Sequence, residues 1–279
     1  RASRVTSEAF GRLVWPDAGG TPGLVSGAGR MALDGLWPGY RVLSGSDVRL
    51  RWLREDRAGA RIALLAPAAD SPPGPDRVEV YFLHRLRGQL VSLFGHLAIA
   101  VRGRVWNFSA VLEENEAVSW DEYFYRPQTG PFVRHADGHG LARVDRYGRR
   151  FMRAADVLSL EGLPAERLAD VLDGLLDEVR AAAEKAQDGS SPAFSSWSRN
   201  CAGFIREALN ESGVGSFSSH APRDLFVELA WHFRKRGGAT FRRVPQLIVP
   251  GILPSSSAVP LLRPANWCHA LRLGSPADR

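Results

Sequence analysis

Three residues have types and spacings that suit covalent catalysis: Cys201, His96 and Asn107. Cys201 lies in WSRNCAGFIREALNESG, where an apolar-periodic segment begins directly after Ser198, Arg199 and Asn200. A cysteine in the first turn of a helix feels the positive end of the helix dipole and unpaired N–H groups, and both favour thiolate over thiol. The same N–H groups can stabilise the oxyanion that forms when a thiolate attacks a carbonyl. The competing reading is a packing thiol, since free cysteine is commonly buried.

A nucleophile needs a base, and LFGHLAIAVRGRVWNFS supplies a candidate. His96 opens an apolar strand, and Arg102-Gly103 is a two-residue hairpin signal. Centring the hairpin there pairs Val101 with Arg104, Ile99 with Trp106, Ala98 with Asn107 and His96 with Ser109. Side chains alternate along a strand, so Asn107 falls on the His96 face, one diagonal step away. An amide that accepts from one imidazole nitrogen fixes the tautomer and leaves the other nitrogen as base. Small residues at Ala98 and Ala100 leave room for a helix N-terminus on that face. A structural histidine satisfied in the core is the alternative for His96.

These residues must be positioned by elements that the pattern also predicts. Residues 1–66 hold short strand-like pieces, YRVLSG and RIALLA among them, between Gly/Pro turns. PAADSPPGPD is a Pro-rich connector, as is PGILPSSSAVP near the other end. Strands are expected over RVEVYFLH, GHLAIAV and RVWNFS, and again over RRFMRAADVLSL. A helix led by Pro164 places Leu168, Val171, Leu172, Leu175, Leu176 and Val179 on one stripe. A second helix starts near Cys201, buries Phe204, Ile205, Ala208 and Leu209, and stops at Gly213. A third opens at Pro222, buries Leu225, Phe226, Leu229, Ala230 and Phe233, and stops at Gly237-Gly238. Strand character returns at QLIVP and CHALRL. The order implies an α+β protein, an antiparallel sheet packed against helices, with a β-rich extension over 1–76 and the main domain over 77–279.

With the elements in place, GHLAIAV, VWNF and NCAGFIREAL together resemble the circularly permuted NlpC/P60 branch of the papain-like cysteine hydrolases. His96 precedes Cys201, as in permuted members, whereas unpermuted members run Cys, His, polar residue. The finer resemblance is to the periplasmic DUF4105 group, which includes lipoprotein N-acyltransferase-like proteins. LFGHLAI, WNFS, YFYRPQTGPF, RNCAGFI and APRDLFVEL occur in the order of that group. The resemblance covers roughly residues 77–236; residues 1–76 and the tail after Gly237 lie outside it. It implies a papain-like fold with Cys201 as nucleophile, His96 as base and Asn107 as orienting residue, with Ser109 or Glu113 as alternatives for the third position. The activity implied is acyl transfer or hydrolysis through a thioester, on acyl-lipid, lipoprotein or peptide substrates, in a bacterial periplasmic or secreted setting. A peptidoglycan endopeptidase or amidase, including a secreted antibacterial effector, is the second reading, and an inactive binding module of the same fold is the third.

Composition narrows the rivals. Hydrophobic content of 44% with 24% charged residues is that of a globular chain. No run approaches the ~18 apolar residues of a membrane helix. The chain opens on Arg1 without a charged-then-apolar leader, as expected of a processed or trimmed N-terminus. The net charge of +6 is carried almost wholly by arginine, Lys185 and Lys235 being the only lysines. That charge is spread along the chain, which argues for solvated faces or an anionic membrane surface and against nucleic acid. Two cysteines make no disulfide framework; a single Cys201–Cys268 bridge in an oxidising compartment would silence the nucleophile.

The remaining candidates have plainer explanations. His135, Asp137 and His139 sit at a metal-ligand spacing, but Asp137-Gly138 and His139-Gly140 are turn dipeptides, and no HExxH or CxxC is present. Trp120, Tyr123, Phe124 and Tyr125 suit either an aromatic wall for substrate or core packing. Trp197, four residues before Cys201, is a candidate for lining the cleft. Cys268 and His269 are neighbours that point apart on a strand. No GxSxG, Walker or dinucleotide glycine pattern appears, so no cofactor and no metal is expected.

Overall fold

The computed structural model describes residues 8–17, 20–54, 61–86, 93–109, 115–128, 132–134, 141–143, 146–185 and 200–273. The first five strands, β1 (Glu8–Val14), β2 (Gly23–Ser26), β3 (Gly29–Ala32), β4 (Asp47–Arg54) and β5 (Arg61–Pro67), form one antiparallel sheet in the order β3-β2-β1-β4-β5. YRVLSG, expected to be extended, lies mostly in a 3-10 helix (Pro38–Leu43) opened by its proline. Proline pre-sets the backbone φ that a helical first turn needs.

The larger sheet comprises β6 (Arg77–Leu83), β7 (His96–Val101), β8 (Arg104–Asn107), β9 (Glu116–Ser119), β14 (Ala155–Glu161) and β15 (Ala239–Val244). Its order is β15-β14-β6-β7-β8-β9, antiparallel throughout. Between β9 and β14 come α1 (Trp120–Tyr125), the short strands β10 (Pro127–Gln128), β11 (Phe132–Arg134), β12 (Leu141–Arg143) and β13 (Arg146–Tyr147), and α2 (Arg149–Met152). RRFMRAADVLSL is therefore a helical turn followed by a strand, not one strand. Four longer helices complete the chain: α3 (Ala165–Lys185), α4 (Cys201–Glu211), α5 (Pro222–Arg234) and α6 (Pro264–Leu273).

The protein is thus mixed α/β with two antiparallel sheets and several helices. The larger sheet is covered on both faces. Val80, Phe82, Leu97, Ile99 and Leu158 pack against α3, α4 and α5. Tyr81, Leu83, Ala98, Ala100 and Val157 pack against α1 and the five-stranded sheet, through Leu13, Leu50 and Leu65. Consequently β7 is fully buried from Leu97 to Val101. Near-continuous apolar sequence is what a strand buried on both faces requires.

Polar ties join the layers. Asp121 in α1 accepts from Arg49 Nη2 at 2.7 Å and Arg51 Nη1 at 2.9 Å, both from β4. The Tyr40 hydroxyl donates to the Tyr125 carbonyl at 2.6 Å. On the helical side, Asp173 of α3 accepts from Arg104 at 2.8 and 2.9 Å and from Trp106 Nε1 at 2.9 Å.

The C-terminal region departs from expectation. QLIVP forms no strand; Leu247 N–H instead donates to the Arg150 carbonyl at 2.7 Å, between Pro245 and Pro250. CHALRL is helical, within α6, because the run is opened by Pro264 and turns Asn266, His269 and Leu273 inward at helical spacing. Asn266 Nδ2 donates to Asp224 Oδ1 at 2.8 Å.

The Asp121 clamp is nearly dry, so removing the carboxylate takes from Arg49 and Arg51 their shared, closest acceptor, while Arg49 keeps the Asp70 carbonyl at 3.2 Å and Glu8 at 3.6 Å. We expect Asp121→Ala to lower stability by about 3 kcal/mol in urea denaturation. A change within about 0.5 kcal/mol, the scale of a surface substitution, would show that the arginines are adequately solvated without it.

Candidate active site

The β7–β8 hairpin has the expected register, with Val101 opposite Arg104, Ile99 opposite Trp106 and Ala98 opposite Asn107. Arg102 and Gly103 both take positive φ, 52° and 75°, which is the backbone of the tight hairpin turn. Gly95 precedes β7 at φ 72°, where a Cβ would come within 2.7 Å of the Phe82 ring and 2.9 Å of the Leu83 carbonyl. Only glycine brings the chain into β7 so closely, and this sets the position of His96.

The expected His96–Ser109 pairing does not form, because β8 ends at Asn107. The Ser109 backbone turns instead to Asn115, donating to its Oδ1 at 2.8 Å and accepting from its Nδ2 at 3.1 Å. With the ladder ended at Ala98, the Leu97 N–H takes a different acceptor, Cys201 Sγ, at 3.4 Å. That amide joins His96 to Leu97, so backbone dimensions put the His96 Cα within about 6 Å of the sulfur.

His96 Nε2 lies 2.7 Å from Asn107 Oδ1. An amide oxygen only accepts, so Nε2 carries the proton and Nδ1 is left as the basic nitrogen. The Tyr123 hydroxyl donates to the same Oδ1 at 3.2 Å, a second bond to the amide that meets the imidazole. Tyr123, a candidate for substrate contact, is thus a buried partner of Asn107. Tyr125 is fully buried; its hydroxyl donates to the Asp70 carboxylate and accepts from Arg150 Nε at 3.1 Å. Trp197, Glu113, His135, Asp137 and His139 lie outside the described residues.

Cys201 is the first residue of α4, and Asn200 caps it: Asn200 Oδ1 accepts from Gly203 N–H at 2.9 Å, while Nδ2 donates to the His220 carbonyl at 3.0 Å. The cap contributes about 1 kcal/mol and pins the sulfur at the helix start. Asparagine directly before an apolar-periodic run is the sequence signal that would have named it. α4 does not approach the Ala98/Ala100 face as expected. It packs on the Leu97 and Ile99 side of β7, with Phe204 stacked on Phe108 at 5.1 Å. The small residues instead accommodate α1 and the N-terminal sheet.

The electrostatics also differ from the expectation of a lowered thiol pKa. Burial pushes the Cys201 thiol up to about 11, outweighing the amides of Leu97, Ala202 and Cys201 itself and the charge of Arg153. In the resting arrangement the group is a thiol, and ionising it requires a proton acceptor. Cys201 and Cys268 are both free, the first buried and the second exposed.

A second polar group was not foreseen. His84 Nε2 lies 3.0 Å from Asp156 Oδ2, and Arg243 Nε donates to Asp156 Oδ1 at 2.8 Å. Burial alone would raise the Asp156 pKa, but its bonds to His84 and Arg243 prevail and hold it below the usual carboxylate value. Arg153 Nη1 donates to the His84 carbonyl at 3.3 Å. His84 ends one expected strand and Asp156 lies within another, and no local spacing pairs them. Among the described residues no group of three or more His, Cys, Asp or Glu is placed to hold a metal, and no helix is long and apolar enough to cross a membrane.

No family model, no characterised protein and no solved structure matches this chain.

The raised thiol pKa makes a signed prediction. The buried thiol contributes stability fully below its unfolded value near 9.0, and that contribution is lost as pH rises through about 11. Wild type should therefore lose up to about 3 kcal/mol more than Cys201→Ala across this window, followed by denaturant midpoints against pH. Parallel curves for the two proteins would mean that the sulfur is not held in a dry site.

Proposed function

We propose that the protein is a cysteine-dependent acyl-transfer enzyme of the permuted papain-like kind, with Cys201 as nucleophile, His96 as base and Asn107 as the residue that orients the imidazole. The observation that carries this is the hydrogen bond from the His96–Leu97 amide to Cys201 Sγ, together with the His96–Asn107 contact. The segment that carries Cys201 thus meets the start of β7, about a hundred residues away in sequence, and this meeting supports the reading.

In the proposed reaction, Nδ1 of His96 takes the thiol proton and the thiolate forms a C–S bond to the carbonyl carbon of an amide or ester. Negative charge moves to the carbonyl oxygen, where the Cys201 backbone N–H is one donor. The imidazolium returns its proton to the departing amine or alcohol as the C–N or C–O bond breaks, leaving a thioester. Water then yields hydrolysis, and an amine or alcohol acceptor yields transfer. The dry thiol suits this scheme, since the sulfur stays protonated until a base takes its proton during reaction. The preference for acyl-lipid or lipoprotein substrates follows from the resemblance of the motifs alone, since the crevice among Phe108, Leu175, Val179, Phe204 and Glu207 has room for no more than about one water. Peptidoglycan peptides are the substrate of the second reading.

His84 offers a specific alternative base, since it follows Phe82 on the helix-facing side of the sheet where α4 packs. Iodoacetamide labelling separates the two, with exposed Cys268 as the internal reference. At pH below the ordinary thiol value of ~8.5, Cys201 should react, and His96→Ala should slow it at least about tenfold while His84→Gln leaves it unchanged. Labelling of Cys201 that only follows its raised titration, indifferent to His96, overturns the assignment; loss in His84→Gln alone transfers the role to His84. For substrate, intact mass after incubation with phospholipid or with muropeptides should show an acyl adduct on wild type and none on Cys201→Ala.

A further inference from the structure

We infer that the outer face of α6 and the adjoining end of α5 form a docking surface for an anionic phospholipid bilayer. α6 is held firmly by its inner face. Asn266 Nδ2 donates to the buried Asp224 carboxylate at 2.8 Å and to the Asp224 carbonyl at 3.1 Å, and the same carboxylate accepts the Leu262 and Arg263 amides at 2.8 and 3.0 Å. His269 stacks on Trp231 at 4.7 Å, and Arg234 Nη1 donates to the Arg272 carbonyl at 2.9 Å. With Asn266, His269 and Leu273 turned inward, helical geometry turns Trp267 and Leu271, four residues apart, outward together. Leu271 is 83% exposed, Trp267 60% and Leu262, just before the helix, 47%. A helix so anchored has no freedom to hide these side chains.

The charge around them selects the partner. α6 contains no acidic residue, and its exposed side carries Arg272. Arg234, Lys235 and Arg236 lie at the end of α5, all exposed, with Lys235 and Arg272 both placed over the Trp231 ring at 4.8 and 5.8 Å. Trp and Leu projecting from a helix bordered by four cations is the arrangement that seats at the boundary between headgroups and acyl chains of an anionic leaflet. A second copy of the chain fits poorly, because a two-fold contact would set these cations against their own equivalents. Nucleic acid has no use for an aliphatic Leu271 at the centre of the patch. The surface includes none of Cys201, His96 and Asn107, so its test is independent of the proposed catalysis.

Co-sedimentation with vesicles provides that test, using phosphatidylcholine alone and phosphatidylcholine mixed with phosphatidylglycerol. Wild type and Cys201→Ala should bind the phosphatidylglycerol vesicles, bind the neutral ones far less, and be released by added salt. Leu271→Ser should weaken binding about tenfold by removing a buried aliphatic contact. Lys235→Gln/Arg236→Gln should weaken it by roughly the same factor or more, as two lost charges imply. Thermal melting of these exposed-site variants should match wild type. Failure of wild type to bind phosphatidylglycerol vesicles overturns the inference. So does binding that both variants retain, or concentration-dependent self-association that Leu271→Ser abolishes in their absence.

Discussion

From Leu97 to Val101, β7 has no surface that water reaches. Helices cover one side and a second sheet covers the other, so neither face of the strand can carry solvent-facing chemistry along its length. Polar groups are admitted only where the ladder stops. That place is the start of β7, where Gly95 brings the chain in, β8 leaves after Asn107, and the Leu97 N–H is satisfied by sulfur. A buried amide must find an acceptor, and here the acceptor is the side chain on which the proposed chemistry depends. The end of one doubly buried strand therefore accounts both for the sulfur held against the Leu97 amide and for the place where His96 meets Asn107.

The layers on either side are secured by different means. On the helical side the contact is mainly apolar, with Phe204 on Phe108 and Leu172 and Leu176 beneath the sheet, and Asp173 supplies a single polar anchor to β8. On the other side charge is carried into the interface by Asp121 with Arg49 and Arg51 and by Asp70 with Tyr125 and Arg150. Such ties are costly unless complete, because each ion gives up water. The N-terminal sheet and α1 thereby cover the face bearing Ala98, and Tyr123 of α1 donates to Asn107, the imidazole's partner.

The thiol and its surroundings set two tendencies against each other. Helix position and three amides draw Cys201 toward thiolate, while burial opposes ionisation and prevails. The sequence carries the first influence, since an Asn–Cys pair ahead of an apolar run marks a helix start. It is silent on the second, because burial depends on which segments cover the site. The same division explains His84 and Asp156: each sits at or near the end of a strand, and only the pairing of β6 with β14 makes them neighbours.

Local pattern by itself determined the three central helices, with the cysteine at the head of the second, and the β7–β8 register as far as the Ala98–Asn107 pair. Those features rest on side-chain periodicity, a two-residue turn and helix stop signals, all of which act over a few residues. For CHALRL the local signals, Pro264 at the start and Ala270, Leu271, Arg272 and Leu273 as helix formers, already favour the helix observed, and the docking of Asn266 on Asp224 holds it in place. The tertiary structure decided which face of β7 receives α4 and that Tyr125 is sealed away from any ligand. It also decided the protonation state of Cys201, since desolvation is a property of everything packed around a group and of nothing adjacent to it in the chain.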